Sequence, residues 1–342
     1  MEESARTLRS FLTAGLSVAL VGAVVSVVLL AVRRGRPGRR LARPVGRSSD
    51  GLVVIAGFLA LLVSQFVAQT FFPPLWGPVV VDPALAGVLL SLIVLQGGRN
   101  PFPAQGWARN FVAGYLTWLL VTPVVYVVFV LATKGNEWLM DRPPDKHPLI
   151  PAVEQAGPWG WVLLLLQTVL LAPVVEELIF RGLLLPWLAQ TRPKAPQTAV
   201  TLPPVLRPTM ILGLAIGVAM LLHSGGLAKA MEAGDRREVA NHLVPAAFFL
   251  ILLPLDLLLP RLRRLRRSLR IRSVQHARAI WASSALFAAV HANVWPSPVP
   301  LFVLALGLGF LYLRTRTLIG PAVVHGLFNA VSAVYLLVGG PA

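Results

Sequence analysis

The chain has 342 residues, of which 56% are hydrophobic and 13% are charged, and its net charge is +17. Soluble domains are about 25% charged, so this composition excludes an ordinary soluble domain and indicates an all-α protein that crosses a membrane several times. The sequence contains no cysteine, which excludes disulfides, thiolate zinc sites, iron–sulfur clusters and cysteine nucleophiles.

About ten apolar stretches follow one another along the chain, most of them near the length that crosses ~30 Å of hydrocarbon. Three of these stretches are short, so we expect eight to ten transmembrane helices. The predicted spans are 11–32, 52–72, 79–97, 111–133, 159–188, 209–224, 244–260, 278–295, 299–313 and 318–338.

The positive charges lie in alternate loops. Lys and Arg accumulate in the cytoplasmic loops of membrane proteins. If the loop 33–48 is cytoplasmic, the four other basic loops fall on the same side, at 98–110, 189–208, 261–277 and 314–316. This pattern predicts that both termini lie outside, in what we expect to be a bacterial inner membrane. It also accounts for most of the charge with the lipid bilayer as partner and without nucleic acid.

Several polar residues interrupt the apolar stretches. Ionisable groups at membrane depth usually face a bundle interior or a wet cavity, and they are functional candidates by default. The polar residues within the predicted spans are Gln167, Glu176, Glu177, Arg181, Asp256, His291, Asn293, His325 and Asn329.

The acidic residues in LAPVVEELIFRGLLLPWL have unequal surroundings. Glu177 and Arg181 are spaced i, i+4, so they can pair along one helix face and make a buried arginine tolerable. Glu176 is rotated ~100° from Glu177 and is expected to face another neighbour, where a carboxylate suits a general base or acid. Pro173 and Pro186 flank the motif and free backbone groups, which fits a polar cavity.

Two later spans carry polar residues at helical spacing. His325 and Asn329 are spaced i, i+4 and are expected to project side by side. Phe287 and His291 have the same spacing, which predicts an aromatic ring beside the imidazole. With Glu176, these helices are predicted to bring a carboxylate, two imidazoles and an amide into one intramembrane cavity that opens toward the cytoplasm.

Three short motifs carry a family resemblance. EELIFR at 176–181, FAAVH at 287–291 and HGLFN at 325–329 resemble the EExxxR, FxxxH and HxxxN motifs of the type II CAAX prenyl endopeptidase and bacteriocin-processing family, called CPBP or Abi. They occur in the family's order on separate apolar stretches. The resemblance covers roughly 111–338 and implies a CAAX-protease-like helical bundle.

The resemblance also suggests a division of roles along the chain. It places a protease core in 101–342, with an inserted region at about 191–276. The N-terminal transmembrane segments, 1–100, match nothing in the family and have no assigned role.

The resemblance implies an intramembrane endopeptidase. In this reading Glu176 and His291 activate a water, and His325 and Asn329 stabilise the oxyanion. These residue types suit amide hydrolysis, which needs a base, a water and donors aimed at the developing negative charge. The expected substrate is a membrane-presented peptide, for example a prenylated CAAX-type tail or another lipidated protein. The residues expected to support the site are Glu177, Arg181 and Phe287.

No cofactor is expected to be required. The alternative is a zinc ion bound by Glu176, His291 and His325, with a free position for water. We favour a metal-free water because Asn329 is a poor zinc ligand and a good oxyanion donor.

Other functions remain as alternatives. A non-catalytic scaffold or immunity-type protein with the same fold is the first of them. A proton-coupled transporter is a weaker one, because the sequence has no paired inverted repeats with broken helices. Other intramembrane proteases fit poorly: there is no HExxH motif, and Asp256 is the only aspartate placed well inside a predicted span, so a two-aspartate protease would lack its second acid.

Overall fold

The computed structural model describes a defined part of the chain. Within it the backbone forms helices joined by turns, and no strand occurs among these residues, as the all-α prediction requires. The predicted spans 11–32 and 209–224 lie outside this part. The described residues are 51–73, 75–96, 100–140, 159–189, 218, 227–252, 255, 258, 261–269, 271, 274–292 and 294–337.

The helices follow the apolar stretches of the sequence, with ends shifted by a few residues. In chain order they are α1 (Gly51–Phe71), α2 (Trp76–Leu95), α3 (Trp107–Met140), α4 (Trp159–Ala189), α5 (Leu227–Glu232), α6 (Arg236–Leu252), α7 (Arg263–Ser268), α8 (Val274–Ala289), α9 (Pro298–Thr315) and α10 (Ile319–Leu337).

Five of the described helices, α1, α2, α3, α4 and α9, are long and apolar enough to cross a membrane. Shorter apolar stretches lie in α6 and α10. The outer surfaces of the long helices carry large apolar side chains, among them Leu52, Phe66 and Leu131, which hydrocarbon covers better than water does. The chain is therefore an integral membrane protein, with five long spans in the described part against the eight to ten expected overall.

The chain folds as two compact units. The described residues of the first unit lie within Met1–Val124, His147–Trp187 and Gly307–Ala342. Those of the second lie within Val125–Lys146 and Leu188–Leu306. The motifs EELIFR and HGLFN belong to the first unit, and FAAVH belongs to the second.

The first unit is built around α4. Helices α1, α2 and α10 all pack against it, and Leu178, Ile179 and Leu183 on α4 are almost completely buried. The rings of Phe58 on α1 and Phe180 pack nearly perpendicular to each other, with centroids 5.8 Å apart. This apolar packing holds α4 in the interior, so the charged residues of its motif are enclosed as well.

The second unit has a core of its own. Phe249 of α6 and Ala288 of α8 are buried there together with Phe302 of α9. Two tryptophan side chains donate hydrogen bonds near this core. The indole N–H of Trp281 donates to the Leu252 carbonyl at 2.9 Å, and that of Trp295 donates to Asn136 Oδ1 at 2.8 Å.

Candidate active site

Helix α4 contains two π-helical segments at the EExxxR motif. An α-helical turn, Ala172–Glu177, lies between two π-helical segments, Leu166–Leu171 and Leu178–Leu184. π-Helical turns bond i to i+5, widen the helix and occur frequently at functional sites. The sequence predicted that the flanking prolines free backbone groups, and the structure adds that the helix widens on both sides of the two glutamates.

In the first π-helical segment, one backbone carbonyl accepts a hydrogen bond from a side chain instead of from a backbone amide. The amide of Ala172 donates to the carbonyl of Gln167. The Thr168 carbonyl would bond residue 173 in the same pattern, but Pro173 has no N–H. Asn329 of α10 supplies the missing donor, since its Nδ2 lies 2.8 Å from the Thr168 oxygen. One amide N–H of Asn329 therefore anchors α10 to α4, and the second N–H on that nitrogen remains for another acceptor.

A glycine lets α10 approach α4 closely. A Cβ on Gly326 would lie 2.5 Å from the carbonyl oxygen of Val169, too short for any side chain. The backbones of the two helices are therefore in direct contact at this point. This contact places His325 and Asn329, the polar residues of the HxxxN motif, against the EExxxR helix.

Glu177 and Arg181 form the ion pair that their spacing predicted. Arg181 Nη1 donates to Glu177 Oε1 at 2.9 Å. The glutamate is fully buried and the arginine is 1% exposed. Because an isolated charge would be very costly at this depth, the pair is a structural element of the motif.

His325 joins the two acidic residues. Its Nδ1 lies 3.1 Å from Glu177 Oε1, and its Nε2 lies 3.7 Å from Glu176 Oε2. A carboxylate accepts hydrogen bonds, so Nδ1 carries the proton that it donates to Glu177. The neutral ring then presents an unprotonated Nε2, and the imidazolium presents an Nε2–H donor toward Glu176.

The adjacent glutamates differ in exposure. The Glu176 side chain is 24% exposed, whereas Glu177 is completely enclosed by Arg181 and His325. Glu176 can therefore meet a water or a substrate, and Glu177 serves the internal packing. The two acids therefore have different surroundings, as predicted: Glu176 is partly exposed and Glu177 is buried, although both lie near His325.

His291 and Phe287 lie in the second unit. Their rings are in contact as predicted, with centroids 4.9 Å apart. The expected span 278–295 placed His291 inside a helix, but α8 ends at Ala289. The amide of His291 bonds back to Ala288 in a tighter turn. His291 Nδ1 lies 2.8 Å from the Phe287 carbonyl, so this ring also carries its proton on Nδ1 and presents Nε2 as an acceptor.

Among the described residues, no group of three or more His, Cys, Asp or Glu side chains is arranged to hold a metal ion. In the first unit Glu177 engages Nδ1 of His325, which leaves Glu176 and Nε2 of His325 as facing donors. A catalytic zinc takes three protein ligands, and the third ligand of the zinc alternative, His291, belongs to the second unit.

One buried acid escaped the sequence analysis. Asp82 is 5% exposed. The predicted span 79–97 put it at a helix end, but α2 begins at Trp76, so it lies inside. Asp256, which is outside the described residues, is thus not the only aspartate well inside a span, and that argument against a two-aspartate protease was wrong. The available signal was a lone acid in the apolar stretch VVVDPALAG.

Comparison with known protein families supplies a match. The profile described as type II CAAX prenyl endopeptidase Rce1-like matches residues 158–331, just over half of the chain, and this segment contains all three motifs. Comparisons with curated proteins and with solved structures gave no match. The chain belongs to the Rce1-like type II CAAX prenyl endopeptidase family, as its motifs indicated.

Proposed function

We propose that this protein is an intramembrane endopeptidase that hydrolyses peptide bonds of membrane-presented peptides. The observation that carries the proposal is the contact of Glu177 with both Arg181 and His325. It joins the EExxxR and HxxxN motifs in the interior of one unit and leaves Glu176 as the accessible carboxylate beside the imidazole.

Glu176 is the base in the proposed reaction. Its carboxylate removes a proton from a water as the water attacks the peptide carbonyl, and His291 assists through its unprotonated Nε2. The proton is later delivered to the departing amine, so the same carboxylate acts first as base and then as acid. The partial exposure of Glu176 supports this role, since a base must reach the reacting water.

His325 and Asn329 stabilise the oxyanion in this mechanism. Because Nδ1 of His325 donates to Glu177, the ring can donate from Nε2 only as an imidazolium, which Glu177 stabilises. Asn329 contributes its second N–H while the first stays on Thr168. An imidazolium opposite Glu176, next to the neutral pair of Glu177 and Arg181, also leaves this group of four side chains without net charge, as a membrane interior favours.

The proposed substrates are peptides that the bilayer itself presents, such as prenylated CAAX-type tails or other lipidated proteins. The basic loops support a site that opens toward the cytoplasm of a bacterial inner membrane, with both termini outside. The proposed reaction uses a metal-free water, because Asn329 is a poor zinc ligand and a good oxyanion donor.

The test uses purified full-length protein in liposomes. Prenylated and plain membrane-anchored peptides are added as a library, and the products are mapped by mass spectrometry. We expect cleavage by the wild type at defined bonds and none by Glu176→Gln or His291→Ala. Binding without cleavage, equal in wild type and Glu176→Gln, would favour a scaffold. A pH-driven flux that depends on Glu176, again without cleavage, would favour a transporter.

A further inference from the structure

Helix α7 (Arg263–Ser268) lies in the most basic part of the chain. The sequence RLRRLRRSLRIR at 261–272 contains seven arginines, and Asp256 is the last acidic residue of the chain. Positive charge in a loop is enough to orient a membrane protein. Orientation by charge makes no demand on the residues between the arginines, and here most of those residues are leucines.

Helical hydrogen bonds extend beyond α7 on both sides. The amide of Leu262 donates to the carbonyl of Leu258 at 3.1 Å, and the amide of Leu269 donates to the carbonyl of Leu265 at 3.0 Å. Both are the i to i−4 bonds of an α-helix. Helix α7 and the described residues that flank it therefore form one helical segment, the α7 segment, which adds to α7 the residues Leu258, Arg261, Leu262 and Leu269.

The leucines of the α7 segment form an exposed stripe. Four leucines, spaced four, three and four residues apart, carry the stripe: Leu258, Leu262, Leu265 and Leu269. They are between 40% and 52% exposed. At ~100° per residue they fall within an arc of about 60° on one side of the helix. Ile271, just after the segment, is buried, so the chain is anchored at this end while the leucines face outward.

Arginines border this leucine stripe. By the same helix geometry Arg261 and Arg266 lie on either side of it, and Arg264 lies farther round the helix. Arg261 and Arg264 are exposed. An apolar face between basic side chains is typical of a helix that lies in the membrane interface, with the apolar face ~5–10 Å into the boundary between headgroups and acyl chains. The guanidinium group suits the phosphates there, because it can bind two oxygens of a phosphate at once.

We propose that the α7 segment is an interfacial helix that binds anionic phospholipids, with its leucines at the acyl boundary and its arginines on the lipid phosphates. Anionic lipid complements both features, since it offers negative charge and hydrocarbon at the same surface. A nucleic acid would supply phosphates without hydrocarbon for the leucine stripe. The contact ties the second unit, which carries His291, to the charge of the leaflet. It does not depend on the peptidase mechanism.

The depth of the leucine stripe can be measured with spin labels, because the chain has no native cysteine. Leu265→Cys and Arg264→Cys are each labelled with a nitroxide in liposomes that contain phosphatidylglycerol. Oxygen concentrates in hydrocarbon, whereas a nickel chelate stays in water. The ratio of oxygen to nickel collisions is expected to be several-fold higher for the label at 265 than for the label at 264. Equal ratios, or the reverse order, would overturn the interfacial placement.

The preference for negative charge is measured by hydrogen exchange in two kinds of liposome. The amides of 261–269 in the wild type are expected to exchange more slowly when phosphatidylglycerol is added to phosphatidylcholine. Loss of two arginines near an anionic surface weakens the attraction about 30-fold, so Arg261→Gln/Arg264→Gln should lose most of this slowing. Arg109→Gln/Arg314→Gln removes two exposed arginines from other basic loops; it is the matched control and should retain the slowing.

Three other outcomes would contradict the proposal. Equal exchange of the wild type in both lipids would leave only a charge that sets orientation, and this comparison decides even if Arg261→Gln/Arg264→Gln fails to fold. A control that loses the slowing as fully as the test variant would remove its assignment to the α7 segment. Slowing by an RNA oligonucleotide in phosphatidylcholine liposomes, without slowing by phosphatidylglycerol, would assign the surface to nucleic acid.

Discussion

His325 Nδ1 lies 3.1 Å from Glu177 Oε1, and the same oxygen accepts a hydrogen bond from Arg181 at 2.9 Å. One carboxylate oxygen therefore links residues from two motifs that are far apart in the sequence. It balances the positive charge of Arg181 and fixes the tautomer of the His325 imidazole at the same time. This double contact explains why two adjacent glutamates have different roles: Glu177 stabilises the buried contacts, and Glu176 remains accessible to act as the proposed base.

Removal of the Glu177 charge should destabilise the protein. In Glu177→Gln the buried Arg181 loses its counter-charge, and breaking a buried ion pair costs about 3–5 kcal/mol. We expect the same direction for Arg181→Met. The double variant should lose less stability than the two single losses added together, because no uncompensated charge remains. The measurement is the free energy of unfolding in detergent or lipid.

A matched control comes from an exposed pair. Lys134 and Glu137 on α3 contact each other at 2.7 Å in an exposed position, and such pairs contribute about 0–1 kcal/mol. Glu137→Gln should therefore change the free energy of unfolding little. The account of the buried pair fails if Glu177→Gln is no more destabilising than Glu137→Gln.

The amide of Asn329 should be essential in two ways. In Asn329→Asp, a carboxylate oxygen faces the Thr168 carbonyl, which loses its donor, and the second N–H is lost with it. Removal of one oxyanion donor lowers kcat by about 10²–10³-fold. We expect a loss of this size in cleavage rate together with lower thermal stability.

Ser332→Ala on the same helix is the control for Asn329. Its hydroxyl is exposed and donates only to the Phe328 carbonyl within α10. Cleavage by this variant should match the wild type. An Asn329→Asp protein with normal cleavage would exclude the amide from the proposed oxyanion site.

The close approach of α10 to α4 predicts the effect of adding one methyl group. In Gly326→Ala the new Cβ would meet the Val169 carbonyl at 2.5 Å, so the helices must separate, at a cost of about 1–3 kcal/mol. Cleavage should fall as well, since His325 and Asn329 move with the helix. Gly87→Ala on α2 is the comparison, because its Cβ would meet nothing within 4 Å. Equal stability of the two variants would contradict this packing.

Metal removal gives a separate prediction. Prolonged dialysis against a chelator should leave cleavage unchanged, because the proposed water is activated by Glu176 and His291 without a metal ion and Asn329 is a poor zinc ligand. The cleavage rate and the metal content of the dialysed protein are measured together. Loss of cleavage that returns on adding zinc would reverse the prediction.

Sequence spacing was sufficient to predict the contacts between residues of the same helix at this site. The i, i+4 rule found the Glu177 and Arg181 pair and the contact between Phe287 and His291, because both depend only on helix geometry. The rule could not find the contact of His325 with Glu177, which joins two helices. The three-motif resemblance brought those residues into one hypothesis, and the family match supports that grouping.

The missed features depend on tertiary packing and on local backbone geometry. Helix α4 widens where Pro173 removes a donor, but a proline alone does not specify whether a helix kinks or becomes π-helical. Asp82 was overlooked because its predicted span began only three residues before it, and helix ends are the least reliable part of such predictions. The end of α8 before His291 was missed for the same reason.

The most direct test of the account is the cleavage rate of Glu176→Gln in liposomes, on the best peptide found with the wild type, beside Glu232→Gln as the control. The exchange keeps the size of the side chain and removes its basicity. We predict that kcat falls by at least about 10²–10⁴-fold, the contribution of a general base, while Glu232→Gln cleaves like the wild type. Cleavage by Glu176→Gln at the wild-type rate would contradict the proposed mechanism.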